Sequence, residues 1–278
     1  MPWLRRLLFA VVCLVCGVAA AQSIATPNFA DQHQRLTKPD LASRGRIRFL
    51  TSTDFPPFSF LDVRGRLGGF NVDLVRAICD ELGLADRCQI EAMPFDQLIP
   101  ALLSGQGDAI IAGIAMTPVN HAQLAFTEPY FRYPARFVTR RDHGLAEPLA
   151  VSLRGRKVAV VDGSAHAAML ASFFPDAVAV AFPDRARALE AMTAGAADAF
   201  FGDGVGLSFW LASSAAGDCC AFAGGPFLSD RYLGEGQAIA VAPDDRDLVQ
   251  AFDYAIVQAV EHKRMSELLL RYFPISAF

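Results

Sequence analysis

Residues 115–121, Ala-Met-Thr-Pro-Val-Asn-His, hold groups that could receive a small anion or another hydrogen-bond acceptor. Thr117 suits a helix N-cap and Pro118 the first helical position. The run before them, residues 108–114, reads as a buried strand. A strand that turns into a helix start leaves backbone N–H groups free to donate to an anion. A cation would normally join them, yet this first turn carries Asn120 and His121 and neither Arg nor Lys. Asp203 is a second candidate. It follows an apolar run at Gly202 and precedes a helix expected over 205–211, so it either caps that helix or offers its carboxylate to an amine. Phe95 stands at a strand end before Asp96, where a flat apolar face either desolvates a ligand or packs in the core. The glycine-rich run 202–206 lacks the Lys and the longer spacing of a phosphate loop. The sequence has no Ser/His/Asp constellation and no Cys/His spacing suited to zinc, so neither catalysis nor a metal or other cofactor is expected.

These residues need elements to position them. From residue 46 onward strands and helices alternate. Strands are expected at 46–52, 90–93 and 108–114, with helices at 71–82 and 96–104 between them. Leu74, Val75, Ile78 and Leu82 line one face of the first helix and Gly83 stops it. Such a βαβαβ unit implies a parallel sheet covered by helices. The pattern then recurs. Phe95-Asp96, an apolar helix, Gly105 and Asp108-Ala with a strand ending in Gly113 match Phe182-Pro-Asp184, a helix, Gly195 and Asp198-Ala with a strand ending in Gly202. A strand at 157–161 and a helix at 165–174 precede the second copy. Two α/β lobes of one topology are therefore expected. A further strand at 236–242 and helices at 247–261 and 265–272 either stay with the second lobe or return to the first. A return makes two crossings, near 137–139 and 238–240, and a ligand cleft between the lobes. Ligands in open α/β sheets bind beyond the carboxyl ends of strands, which places 113–117, 161–165 and 202–203 around that cleft.

The N-terminus points to export. Arg5 and Arg6 precede an apolar run over 7–21 that ends in three alanines. This reads as a signal peptide over 1–21 rather than an anchor, since the run is short for a span of ~20 residues. A polar tail over 22–45 should follow. The net charge of −4 becomes more negative once the arginine pair is removed, which argues against nucleic acid as a partner. Cys79, Cys88, Cys219 and Cys220 remain in a compartment that permits disulfides. Cys79 and Cys88 could meet across one turn or stay as buried thiols. Cys219 and Cys220 are neighbours, between which a bond would be strained, and the sequence leaves both a bond and free thiols open.

Several stretches taken in order resemble a known family. They are Phe55-Pro-Pro-Phe-Ser-Phe60, Gly69-Phe-Asn-Val-Asp-Leu74, Phe95-Asp-Gln-Leu-Ile-Pro-Ala-Leu102, the run from Asp108 to Thr117, Phe126-Thr-Glu-Pro-Tyr-Phe131, Gly155-Arg-Lys-Val-Ala-Val160 and Ala197-Asp-Ala199. Together they resemble the periplasmic solute-binding proteins of polar amino-acid ABC transporters, bacterial solute-binding protein family 3. The likeness runs from about Arg46 to Pro274. It implies a type II periplasmic-binding-protein fold with two lobes, each a mostly parallel sheet with helices on both faces, joined by two hinge strands. The lobes would be 46–137 plus 240–278, and 138–239. It also implies a monomer in the periplasm that captures a small polar solute, amino acid or similar, and delivers it to a membrane ABC permease.

The resemblance implies roles as well. Phe55 and Phe95 match aromatics that sandwich the ligand. Gly113, Ala115 and Thr117 match groups that receive the α-carboxylate. Ser164 and Ala165 match the equivalent loop of the second lobe, and Asp203 matches the carboxylate that binds the α-ammonium. Two departures stand out. The family's carboxylate-clamping Arg is replaced by Asn120, and neutral imidazole at His121 is no substitute for a guanidinium fork. Asp54 directly precedes Phe55, which shortens that loop. The same fold also carries cyclohexadienyl-type dehydratases, and a binding protein can dock on a sensing receptor instead of a permease. Those are the alternative expectations.

Overall fold

The computed structural model describes residues 37–278 apart from Ala42. The expected signal peptide and most of the expected tail lie outside the described residues. Thirteen strands occur among those described: β1 Ile47–Thr51, β2 Asp54–Phe55, β3 Ser59–Leu61, β4 Leu67–Gly68, β5 Cys88–Ala92, β6 Ala109–Ile110, β7 Ala125–Phe126, β8 Ala135–Arg140, β9 Lys157–Val161, β10 Val178–Phe182, β11 Ala199–Asp203, β12 Cys220–Phe227 and β13 Ala240–Val241. They form two five-stranded sheets, in the orders β5-β1-β6-β13-β7 and β10-β9-β11-β8-β12, and a small sheet β2-β3-β4. In each large sheet three strands run parallel, and the last two are joined through an antiparallel partner. The sheets are thus mixed, with a parallel half that carries the repeat.

The repeat has a physical cause. Asp108 Oδ2 accepts from the Arg48 backbone N–H at 2.8 Å, and the Asp108 N–H donates to Arg48 O at 2.9 Å. Asp198 does the same with Lys157, at 2.8 Å in both directions. Each aspartate also holds an arginine, Arg48 and Arg156 respectively. A side-chain acceptor at the start of β6 or β11 satisfies an amide at the start of its central neighbour, and so fixes register before either strand is long.

Most expected elements occur with small changes at their ends. The helix expected at 71–82 is Phe70–Leu82, ended by Gly83 at φ 71°. The helix expected at 96–104 splits into a 3₁₀ turn, Phe95–Gln97, and a helix, Leu98–Leu103. Pro100 is the third residue of that helix, where its missing N–H leaves no intrahelical bond unmade. Two expected strands are much shorter. Only Ala109–Ile110 of 108–114 and only Ala240–Val241 of 236–242 join ladders. Past Ile110, Ile111 still donates its N–H to Leu50 O and accepts the Thr51 hydroxyl at 2.7 Å, and the chain then leaves the sheet for the loop at Gly113.

The two stretches that link the sheets run side by side. Thr127 N–H donates to Ile239 O at 3.0 Å, Tyr130 N–H to Gln237 O at 2.9 Å, and Gln237 N–H to Phe131 O at 2.7 Å. The first crossing therefore precedes Pro134, earlier than the expected 137–139. The expected lobe boundary after Phe137 falls inside β8, whose Ala135, Arg136 and Phe137 pair with Asp203, Gly202 and Phe201 of the second sheet. A division near Pro134 keeps that strand whole. Asp253 tethers the approach to the crossing by accepting the Glu128 N–H at 2.8 Å, and burial pushes its carboxyl up to about 7.

The final segment returns to the first sheet's core. Helix Arg246–Glu261 buries Leu248, Ala251, Phe252, Ala255 and Ile256 there. Phe273 stacks on Phe131 at 5.4 Å and meets Phe209, on helix Gly204–Leu211, at 6.1 Å. The Arg136 guanidinium donates to Ala277 O at 3.1 Å and lies 4.4 Å from the Phe222 ring centre. The C-terminus thereby touches residues that pack with both large sheets. Cys79 and Cys88 are joined where the first helix ends and β5 begins. Cys219 and Cys220 are joined as well, at the residues that lead into β12.

Candidate functional site

The expected site residues all sit just past strand ends or at helix starts that follow them. Phe55 follows β1, Phe95 follows β5, and Gly113 to Asn120 follow β6. Ser164 and Ala165 follow β9, and Asp203 ends β11. This is the edge at which an open α/β sheet offers unpaired amides to a ligand.

On the first sheet, Phe55 and Gly113 are in close contact. Gly113 has φ 70°, and a Cβ there would lie 2.9 Å from the Phe55 ring. A side chain at 113 would be both strained and blocked, so glycine lets the aromatic face lie against the loop. Phe55 is half-buried and stacks on buried Phe58, with ring centres 4.8 Å apart. Phe58 and Phe70 belong to the core. Phe95 is 48% exposed, an uncovered aromatic surface that core packing does not explain.

The loop that follows Gly113 is stapled by its own side chains. Thr117 Oγ1 accepts the Asn120 N–H at 3.2 Å, the expected N-cap. Asn120 Nδ2 donates to Ala115 O at 2.8 Å. The helix that Thr117 opens is only one turn, Pro118–His121, so it adds little dipole. Asn120 thus fixes the loop's shape where an arginine would carry charge. The exposed ring of His121 packs edge-on against Phe126, with centres 4.9 Å apart.

On the second sheet, Ser164 caps helix Ala165–Phe173. Its hydroxyl donates to Val161 O at 2.7 Å and accepts the Ala167 N–H at 3.1 Å. Ala165 is exposed. Asp203 Oδ1 accepts the Val205 N–H at 3.0 Å, and Oδ2 accepts the Gly206 N–H at 2.9 Å. It is the cap of helix Gly204–Leu211, yet it stays partly exposed at the sheet edge. Capping and ligand binding are not exclusive here, because a carboxylate has lone pairs beyond the two it uses on amides.

Residues that the sequence did not single out complete the surroundings. Gln237 lies in the second crossing, and its Oε1 is 3.7 Å from the Cβ position of Gly113. It accepts from buried Tyr130 OH at 3.1 Å and donates through Nε2 to Tyr133 OH at 2.6 Å. This network ties the Gly113 loop to the crossing. Burial raises the Tyr133 phenol above its usual range, so it stays protonated, and the charge of Asp203 acts in the same direction. His166, in the first turn after Ser164, lies 6.2 Å from the Phe201 ring. Burial lowers its pKa while Asp203 pulls the other way. Asp203 is thus felt from both sides. Among the described residues no hydrogen bond or ion pair links the Gly113–Asn120 loop to Ser164 or Asp203.

The family model for bacterial extracellular solute-binding proteins, family 3, matches residues 47–275. The chain belongs to that family. This family-3 solute-binding protein is 32% identical to the L-arginine-binding protein of Pseudomonas aeruginosa over 245 residues, 87% of this chain and 93% of the relative. It is 27% identical to the lysine/arginine/ornithine-binding periplasmic protein of Escherichia coli, covering 84% of this chain and 89% of the relative. Among solved structures, the unliganded open L-cystine solute receptor of Neisseria gonorrhoeae matches with a TM-score of 0.69 at 20% identity, covering 83% of this chain and 94% of the receptor. That last likeness supports the two-lobed fold alone. No described helix of this solute-binding protein is long and apolar enough to cross a membrane.

Proposed function

We propose that this solute-binding protein captures an amino acid, or a solute with the same head group, between its two sheets and passes it to an ABC permease after export to the periplasm. The observation that carries the reading is Asp203, a carboxylate fixed by two backbone amides at the carboxyl end of a strand and still open to solvent. A fixed acceptor selects an ammonium group without paying to order itself on binding. Phe55 and Phe95 supply apolar faces, and the Gly113–Thr117 loop supplies donors, as the ligand-binding residues Phe55, Phe95, Gly113, Ala115, Thr117, Asn120, Ser164, Ala165 and Asp203 were expected to do. The relatives named for arginine, lysine, ornithine and histidine favour an α-amino-acid head group and a binding protein rather than an enzyme. Binding here is taken as the work of a single copy of the chain.

The test is a thermal-shift panel on the exported chain with the twenty L-amino acids. A ligand that binds only the native state raises its melting point by mass action, by about 2.7 kcal/mol of stability at one hundred times Kd. At least one amino acid should raise the midpoint. A flat response across the panel would remove the amino-acid reading.

A further inference from the structure

Arg185 opens helix Arg185–Thr193, just past the carboxyl end of β10. Its Nη1 lies against the point a Cβ on Gly206 would occupy, and Asp203 Oδ2 comes within 2.8 Å of the same point. Arg185 is exposed, and among the described residues it has no hydrogen-bond or ion-pair partner. Its neighbour Arg187 is by contrast paired with Glu190 at 3.1 Å. Asp203 spends its two oxygens on the Val205 and Gly206 amides and makes no ion pair with Arg185. The guanidinium therefore lies over Gly206 and beside the Asp203 carboxylate, in room that glycine leaves and a Cβ would take.

We propose that Arg185 is the carboxylate-binding residue of the cleft, so that Arg185 and Asp203 together read a ligand whose carboxylate and amine are adjacent, as in an α-amino-acid zwitterion. The inference rests on the amino-acid reading above and adds which group of the ligand each charge receives. It answers the deficit at Asn120: the first sheet's loop offers a carboxylate only neutral donors, and the missing guanidinium is supplied from the second sheet. A planar guanidinium can donate two parallel N–H bonds to a carboxylate, which an ammonium or an amide cannot. Because the two protein charges are not bonded to each other, the ligand does not have to break an ion pair to enter. An amine that lacks the carboxylate gains nothing from Arg185 and meets its positive charge.

The experiment compares Arg185→Gln and Arg185→Lys with the wild type by calorimetry. The two probes are the best amino acid of the panel and the amine formed from it by removing the carboxylate, the latter read by displacement where it is weak. Arg185→Gln should weaken the amino acid ten- to a hundredfold and leave the amine unchanged or bound more tightly. Arg185→Lys should fall between, since it keeps the charge and loses the fork. The melting point of the empty protein should not move, because Arg185 has no partner to lose. If Arg185→Gln does lower it, Arg185→Lys carries the comparison. An unchanged amino-acid affinity overturns the inference, and so does an equal loss for both probes. Amino-acid binding untouched by these variants sinks this inference alone, whereas no binding by the wild type sinks the amino-acid reading and this inference with it.

Discussion

Asp203→Asn should abolish most amino-acid binding while leaving the empty protein nearly as stable as before. The substitution keeps a carbonyl oxygen that can still accept one of the two amides, Val205 or Gly206. It removes the negative charge that an ammonium needs. Truncating one member of a desolvated, hydrogen-bonded charge pair costs about 2–5 kcal/mol, so affinity should fall by a factor of about thirty to several thousand. Asp203→Ala should lose the same affinity and a helix cap besides. A lost cap costs about 0.5–2 kcal/mol, or a few degrees in melting point for a chain of this size. The two variants thus separate jobs that one carboxylate performs together. If Asp203→Asn binds the ligand like wild type, the ammonium is received elsewhere. If Asp203→Ala and Asp203→Asn melt alike, the cap contributes less than its geometry indicates.

Asn120→Arg should change affinity in the opposite direction. The loop around it is already shaped: Thr117 accepts the Asn120 N–H, and the Asn120 side chain holds Ala115 O. Arginine keeps the first bond, which uses its backbone. It gives up the second and brings a guanidinium to the loop. A hydrogen bond to a charged group is worth about 1.5–3 kcal/mol, and a net gain of ten- to a hundredfold in amino-acid affinity is expected. Calorimetry against the panel checks it. A loss of affinity would mean that the Asn120 staple matters more to the loop than an added charge. No change would mean that ligand carboxylates do not reach this loop.

Much of the architecture was legible because it is written locally. Gly83, Gly105 and Gly195 mark chain turns in the left-handed region, with φ values of 71°, 76° and 79°. Asp108 and Asp198 could be recognised as a repeat because each acts within one strand start, a geometry that recurs whenever the motif does. The cap residues Thr117 and Asp203 were readable for the same reason, since a cap touches only the next turn.

The failures have a different origin. The strand limits at Ile110 and Ala240 depend on where a distant partner pairs, which no local pattern records. The first crossing lies a few residues earlier than expected because nothing local in Ala-Arg-Phe-Val-Thr-Arg at 135–140 names its sheet, and its pairing with β11 and β12 decides. Gln237 and Tyr133 meet across more than one hundred residues in segments without periodicity, and Arg185 reaches Asp203 only after two helices pack over one sheet edge. The absent arginine at position 120 was visible in the sequence. What stands in for it was not, because the replacement belongs to the other half of the molecule.

On the proposed function a small solute sits between the two sheets and draws on groups from both. Small-angle scattering of the exported chain, with and without a saturating amino acid found in the panel, tests it most directly. Phe55 and the Gly113 loop lie on one side and Asp203 and Arg185 on the other, and the two paired crossings join them, with the C-terminal segment packed alongside. Ligand contacts made to both sides favour closure about those crossings. A smaller radius of gyration with ligand is the predicted result. A scattering profile unchanged at saturation, with binding confirmed in the same sample, would contradict it.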